Sequence, residues 1–251
     1  MRKFGLIGYP LTHSFSRKYF SEKFEKEHIE NCSYELFEIK DIENFPELIS
    51  KEPLLSGLNV TIPHKKNVIS FLDSLDHSAE NVGAVNVIKF VGGKLVGYNS
   101  DYYGFMMSLR EFIGKDTRDL KALILGTGGA SSAVQASLKT LNIPFIAVSR
   151  NSSENTISYE ELLNASYVES HKLIINTTPL GMYPKIETLP PIPYEKITSQ
   201  HFLFDLVYNP RETTFLKMGK SKGAKTLDGL EMLHFQAEKA WEIWNASETI
   251  R

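Results

Sequence analysis

The amino-acid sequence predicts an α/β protein of two units, the second a doubly wound parallel sheet, and three observations carry that prediction. Short apolar runs alternate with amphipathic stretches along the chain in a β-α-β rhythm. The rhythm restarts at Leu120, after the loop Gly114-Lys115-Asp116-Thr117. The restart opens on Leu125-Gly126-Thr127-Gly128-Gly129-Ala130, directly after the apolar run Lys121 to Leu125 and before a helix-like segment. A chain of 251 residues is long enough for two modest domains with cores of their own.

In the first unit, Phe4 to Ile7 reads as a strand, Ser16 to Ile29 as a helix and Tyr34 to Ile39 as a second strand. Asp41 is placed to cap a helical pattern reaching about Ser50, and Leu58 to Thr61 reads as a third strand. Pro63 is expected to open a helix through Phe71, with Lys65 on its first turn. Ala84 to Val91 and Lys94 to Tyr98 flank Gly92-Gly93, a two-residue turn that marks a hairpin. Asp101 precedes a helix from Tyr102 to Ile113 with apolar positions at Phe105, Leu109 and Phe112.

In the second unit the glycine string leads into a helix to about Thr140, followed by the strand Phe145 to Val148 and the helical Tyr159 to Leu163. Lys172 to Ile175 and Phe202 to Leu206 supply two short buried strands, with the Pro-rich piece Pro184 to Pro193 as a surface connection between them. The tail Gly229 to Trp244 sets Leu230, Leu233, Ala237, Ala240, Trp241 and Trp244 at helical spacing, a packing stripe.

Composition narrows the function classes. Apolar residues at 42% and charged residues at 23% are ordinary for a soluble globular protein. A net charge of -2 without a basic stripe argues against a nucleic-acid partner. The single cysteine, Cys32, suits a reducing cytoplasm, and no Cys/His cluster has the spacing of a metal site. The start, Met1 to Gly8, is expected not to act as a signal peptide, because Gly8 and Pro10 break its apolar run. No stretch approaches a membrane span, so no membrane partner is expected.

The glycine string reads as a dinucleotide site: glycine permits the tight strand-to-helix turn, and free N–H groups at a helix start favour an anion. Where an NAD-preferring fold carries an acidic residue after the second strand, this chain has Ser149-Arg150-Asn151. Arg150 offers a planar cation to a 2′-phosphate, which predicts NADP over NAD; its ordinary alternative is a solvated residue at a strand end. Ser14 and Ser16, two residues apart, can face one ligand if that piece is extended, although Ser16 alone reads as a helix cap. Thr61, Lys65, Asn86, Asn99 and Asp101 stand at strand ends and loops, with Asp101 also a good N-cap. Taken singly, each bland alternative wins. Together, Lys65 and Asp101 form a workable proton-transfer pair, because hydride addition to a carbonyl leaves an alkoxide that must be protonated. His13 and His64 rank below Lys65 for that role.

The strings in their order resemble those of the shikimate dehydrogenase family over nearly the whole chain. They are Gly8-Tyr9-Pro10 with His13-Ser14-Phe15-Ser16, Asn59-Val60-Thr61-Ile62-Pro63-His64-Lys65, Gly83-Ala84-Val85-Asn86 and Gly97 to Phe105. In the second half they are Gly126 to Ala130, Asn176 to Met182, Asp205 to Pro210, and Asp228 to Leu233 with Gln236. The resemblance implies NADP-linked reduction of 3-dehydroshikimate to shikimate, on the route to aromatic amino acids. It implies a substrate domain over 1–101 completed by 229–251, a Rossmann-like NADP domain over 102–228, and a last helix returning to the substrate domain. Lys65 and Asp101 would be the catalytic pair. Ser14, Ser16, Thr61, Asn86 and Gln236 would hold the carboxylate and hydroxyls of the substrate, supported by Asn99 and joined by Tyr208. The cofactor would lie on Gly126, Thr127, Gly128, Gly129 and Ala130, on Ser149, Arg150 and Asn151, and near Met182, Gly229 and Met232. The implied protein is a cytoplasmic monomer or homodimer that takes a small-molecule substrate.

The departures are Arg17 and Tyr19-Phe20 where the family commonly has Pro and His-Asn, Ser100 for Thr, and Ser149-Arg150-Asn151 for Asn-Arg-Thr. Two other functions share these features. A quinate dehydrogenase would need room for one more hydroxyl, and a catalytically silent regulator would be expected to have lost the pair that Lys65 and Asp101 retain.

Overall fold

The computed structural model describes residues 1–12, 14–114, 118–164 and 166–247. His13 and the loop residues Lys115, Asp116 and Thr117 lie outside the described residues. The chain divides into two compact units, Met1–Tyr103 with Gln236–Arg251, and Gly104–Phe235.

The first unit runs β1 (Arg2–Gly8), α1 (Phe15–Lys26), β2 (Cys32–Glu38), a 3₁₀ turn, α2 (Phe45–Lys51), β3 (Leu55–Val60) and a second 3₁₀ turn (Asn67–Phe71). It continues through β4 (Ser74–Leu75), α3 (His77–Val82), β5 (Val87–Val91), β6 (Lys94–Tyr98) and the start of α4 (Ser100–Ile113). Its sheet has the order β2-β1-β3-β5-β6-β4, parallel around β1 and antiparallel through β3, β5 and β6. β1 sits inside the sheet and is buried continuously from Phe4 to Gly8, as a strand covered on both faces must be. One face carries Ile7, Leu58, Val60 and Phe45. The other carries an aromatic cluster of Phe4, Phe20, Phe24, Tyr34 and Trp244.

The second unit holds β7 (Ala122–Leu125), α5 (Gly129–Thr140), β8 (Phe145–Ser149), β9 (Thr156–Ser158), α6 (Tyr159–Asn164), α7 (Tyr167–Ser170) and β10 (Leu173–Asn176). It ends with β11 (Phe202–Asp205), α8 (Thr214–Ser221), β12 (Lys225–Leu227) and the start of α9 (Leu230–Asn245). The strands lie in the order β12-β11-β10-β7-β8-β9, and every pair is parallel. This is the doubly wound order, with its reversal between β7 and β10, where such sheets bind ligands outside the carboxyl ends of the strands. β7 and β10 are buried along their whole length, and both faces of the sheet are covered: Leu109, Val134 and Leu138 on one, Leu162, Val168 and Phe215 on the other.

The tail is the packing stripe its spacing predicts. Ala237, Ala240 and Trp244 enter the aromatic cluster, the Trp244 ring stacks on Phe4 at 4.8 Å, and its Nε1 donates to the Ile88 carbonyl at 3.1 Å.

Several local expectations are corrected. No α-helix follows Pro63: residues 61–66 form a turn that leads into the 3₁₀ segment, so Lys65 stands on a turn. The reason is tertiary, since the Lys65 carbonyl accepts from Val85 N–H at 2.7 Å and is withdrawn from any helical ladder. The cap of α1 is Ser14, whose Oγ accepts from Arg17 N–H, and Ser16 lies in the first turn. The cap of α4 is Asn99, whose Oδ1 accepts from Tyr102 N–H at 3.0 Å, which leaves Asp101 inside the helix with its carboxylate available to a partner. The short elements β4, α3, β9, α7 and β12 carry too few residues for a clear period, and the sequence pattern predicts none of them, nor does it predict the eight-residue α8.

Candidate active site

Lys65 and Asp101 are brought together by long-range packing. The turn carrying Lys65 is pinned at two points, by the Lys65 carbonyl bond to Val85 and by His64 Nε2, 2.6 Å from the Ile39 carbonyl. Asp101 projects from the first turn of α4. Lys65 Nζ lies 2.6 Å from Asp101 Oδ2, a charge-assisted hydrogen bond, and the two side chains keep 27% and 18% of their exposure. The pair is therefore formed, oriented and reachable from solvent.

Behind it lies a buried polar layer of neutral groups. Asn86 Nδ2 donates to Ser100 Oγ at 3.0 Å, and Ser100 N–H donates to Asn86 Oδ1 at 2.6 Å. Ser100 Oγ donates to Gln236 Oε1 at 3.3 Å, so Gln236 on α9 joins residues from the far end of the chain. Asn99 Nδ2 donates to the Ala84 carbonyl at 2.9 Å. The layer extends through Asn59, whose Nδ2 donates to the Asn86 carbonyl at 3.2 Å and whose Oδ1 accepts from the Tyr34 hydroxyl at 2.7 Å. Tyr34 is also hydrogen-bonded to Ser16, and burial pushes its hydroxyl far above the ordinary tyrosine range. Ser14 and Thr61 are half-buried, and no side-chain bond ties them to this layer among the described residues. Neither Tyr34 nor Asn59 is named as a site residue from the sequence, although Asn59 opens the string Asn59 to Lys65. The signal for Asn59 is a polar residue inside an apolar strand, Leu58-Asn59-Val60.

Tyr208 belongs to the second unit, just after β11, where burial raises its hydroxyl. In that unit the glycine turn sits at the carboxyl end of β7. Gly126 has φ +104°, and an added Cβ would stand 2.9 Å from Thr177 Oγ1, so only glycine fits against the loop after β10. Gly128 is the N-cap of α5 without a side-chain cap, and a Cβ on Gly128 or Gly129 would meet nothing within 4 Å. Open space in front of uncapped N–H groups suits a phosphate. Arg150 follows β8, exposed and without a hydrogen bond or ion pair among the described residues, flanked by half-buried Ser149 and exposed Asn151. No carboxylate stands beside it in sequence, so the residues present fit a dinucleotide with a charged 2′ substituent. Met182 is exposed, Met232 packs on the core beside β11, and Gly229 passes so close to the Leu206 carbonyl that a Cβ would overlap it.

Beneath the glycine turn lies a second buried network. Asn176 Nδ2 donates to Asp205 Oδ1 at 2.9 Å, Thr213 Oγ1 to Asp205 Oδ2 at 2.6 Å, and Val207 N–H to Asp205 Oδ1 at 3.0 Å. Asn176 Oδ1 in turn accepts from Thr178, which fixes the loop that Gly126 packs on. Burial pushes the Asp205 carboxyl up to about 6, against the opposing pull of these donors.

Comparison with known proteins now decides the family. Residues 6–88 match the model of the shikimate dehydrogenase substrate binding domain. A shikimate dehydrogenase (NADP(+)) of Clostridium beijerinckii is 42% identical, over 97% of this chain and 92% of that protein. The chain belongs to the shikimate dehydrogenase family. Among solved members, a shikimate dehydrogenase in complex with NADP+ superposes with a TM-score of 0.86 at 34% identity, covering 99% of this chain and 91% of that one. The Thermus thermophilus enzyme in complex with NADP(H) and shikimate gives 0.82 at 29% identity, covering 98% and 94%. On the shikimate dehydrogenase frame, Thr61, Lys65 and Asn86 fall inside the matched substrate-domain segment, and Asp101 and Gln236 lie beyond it. Among the described residues no helix is long and apolar enough to cross a membrane, and no group of three or more His, Cys, Asp or Glu side chains is placed to hold a metal.

Proposed function

We propose that the protein catalyses the reversible NADP-linked reduction of 3-dehydroshikimate to shikimate, with Lys65 and Asp101 as its proton-transfer pair. The observation that carries this is the 2.6 Å contact between Lys65 Nζ and Asp101 Oδ2 in a chain of this family. When bound, NADPH supplies the hydride that adds to the carbonyl carbon. Charge then develops on the carbonyl oxygen, and Lys65 delivers a proton to that oxygen, taking it back in the oxidative direction. Asp101 holds Nζ in place and balances the ammonium charge.

The first unit is the substrate domain and the second the NADP domain. Ser14, Ser16, Thr61, Asn86 and Gln236 hold the carboxylate and hydroxyls, Asn99 supports the site by capping α4, and Tyr208 is a further substrate contact. Gly126, Thr127, Gly128, Gly129 and Ala130 hold the pyrophosphate, Ser149, Arg150 and Asn151 the adenosine side, and Met182, Gly229 and Met232 line the nicotinamide. The enzyme works in the cytoplasm, as a monomer or homodimer.

The test is the reduced-nicotinamide absorbance with shikimate and NADP+, repeated with quinate and with NAD+. Turnover with shikimate and NADP+ exceeding both alternatives is expected. No turnover with shikimate under any coenzyme overturns the assignment.

A further inference from the structure

We propose, resting on the activity assigned above, that His64 is a positioning residue for the reaction: its side chain fixes the turn that carries Lys65 and takes no part in proton transfer. A histidine next to the proton-transfer lysine invites the role of acid. Its surroundings assign it another.

The His64 side chain lies in the core, with 2% of its exposure left. Its Nε2 is 2.6 Å from the Ile39 carbonyl oxygen, and a carbonyl can only accept, so Nε2 carries the hydrogen and donates it there. The other ring nitrogen, Nδ1, is sealed from solvent and has no hydrogen-bond partner among the described residues. Neither nitrogen is placed to exchange a proton with a ligand, because one is engaged by the backbone and the other is enclosed.

The bond to Ile39 ties the turn to the sheet. Ile39 follows β2, is buried in the core cluster with Ile7 and Val60, and donates its own N–H to the Gly8 carbonyl at the end of β1 at 3.0 Å. The turn begins at Thr61, whose N–H donates to the Ile7 carbonyl at 2.9 Å. His64 N–H donates to the Thr61 carbonyl at 2.9 Å, and the His64 carbonyl accepts from Val68 N–H at 2.9 Å. His64 is thus held by its backbone donor, its backbone acceptor and its ring, and Lys65 is the next residue. Asp101 is fixed separately, since Asn99 Nδ2 donates to the Ala84 carbonyl and Ser100 N–H to Asn86 Oδ1 at the start of α4. The 2.6 Å contact between Lys65 Nζ and Asp101 Oδ2 depends on both supports. Without the imidazole the Ile39 carbonyl loses this donor, the turn keeps only its backbone bonds, and Nζ is no longer held where proton delivery needs it.

The experiment compares wild type with His64→Leu and His64→Gln, reading the folded fraction by circular dichroism, kcat per folded enzyme, both KM values and the solvent deuterium isotope effect on kcat. Leucine fills the space without a donor. Glutamine places an N–H the same number of bonds from Cβ as the histidine Nε2, and an amide gives up no proton to a substrate. His64→Leu is expected to lower kcat about 10- to 100-fold, the weight of a reacting group displaced by about 1 Å, with KM for NADP+ within about twofold. Its solvent isotope effect rises above the wild-type value because the proton step is slowed, a change that lost packing alone does not produce. His64→Gln restores most of the lost kcat. If His64→Leu fails to fold, His64→Met takes its place with the same outcomes. A wild-type kcat in the folded Leu or Met variant overturns the positioning role. So does a kcat in folded His64→Gln lowered by about 10²-fold or more, the loss expected if His64 gave the proton itself. Both results leave the activity standing. Absence of shikimate turnover in the wild type overturns the activity, and this role with it.

Discussion

The two units solve the problem of a buried polar floor in opposite ways. In the first, the buried polar groups are neutral: Asn59, Asn86, Ser100 and Gln236 are linked through amide, hydroxyl and backbone bonds, Asn99 donates to the Ala84 carbonyl, and the charges of Lys65 and Asp101 stay partly exposed and mutually paired. In the second, a carboxylate lies at the bottom: Asp205 is fully buried among Asn176, Thr213 and Val207 N–H, and the charge near the surface, Arg150, has no partner among the described residues. The difference teaches where each unit keeps its readiness. The polar side chains of the first unit are engaged with internal partners, whereas the second leaves the uncapped start of α5 and one cation open.

The sharpest way to break this comparison is at the half-buried Lys65–Asp101 pair. Lys65→Ala should lower kcat by about 10²- to 10⁴-fold, the usual range for a positioned proton donor, with shikimate affinity little changed. Steady-state rates beside a direct binding titration check it, and a Lys65→Ala enzyme turning over at the wild-type rate would remove the assigned role.

The buried carboxylate gives the next largest effect. The native pKa of Asp205, about 6, lies above its ordinary 3.8, so the native state favours the protonated acid. Stability from that proton is complete below about pH 4 and is lost as pH rises through about 6. At neutral pH the ionised group therefore costs the second unit about 3 kcal/mol relative to acid conditions. Urea unfolding from pH 4 to 8 should show wild type losing ground to Asp205→Asn as pH rises, by about that amount. A difference between the two proteins that does not vary with pH would contradict it. The neutral layer of the first unit should contribute no such slope.

Arg150 comes third. Arg150→Ala should raise KM for NADPH by about ten- to a hundredfold and leave KM for NADH within about twofold, as expected for loss of a charge-assisted contact to a phosphate. Equal effects on both coenzymes would mean that Arg150 does not read the 2′ position.

The smallest effect belongs to the edge of the amide layer. Tyr34→Phe removes the donor to Asn59 Oδ1 and leaves that buried oxygen unpaired, which should cost about 1–2 kcal/mol of stability, measured by thermal or urea unfolding. A neutral change would show that the layer tolerates gaps.

Much of the fold is legible without coordinates. The Gly92-Gly93 hairpin, the stripe of Ala237, Ala240 and Trp244, and the strand-glycine-helix turn at Gly126 all stand where periodicity and turn chemistry place them. Two caps fall on neighbours of the residues expected: Ser14 rather than Ser16 caps α1, and Asn99 rather than Asp101 caps α4. Either residue of each pair has cap chemistry, and the choice depends on where the backbone turns. The helix expected after Pro63 does not form because Val85, distant in sequence, takes the Lys65 carbonyl. The pairing of Lys65 with Asp101, expected from residue type and family pattern, is present as a contact, but the bond from Tyr34 to Asn59 and the burial of Asp205 are not legible, since a polar residue on an apolar strand does not name its partner.

By itself, then, the order of residues determined the alternation of strands and helices, the two-unit plan, the glycine turn after β7 and the absence of an acidic residue beside Arg150. Those properties are set by side-chain period, glycine sterics and neighbours a few positions away. Only the folded chain decided that Lys65 meets Asp101, that Asn86 and Gln236 share one hydroxyl, and that Asp205 is sealed from water. Such pairings join residues far apart along the chain, and their strength comes from removing polar groups from solvent together, a condition that exists only once the core has closed around them.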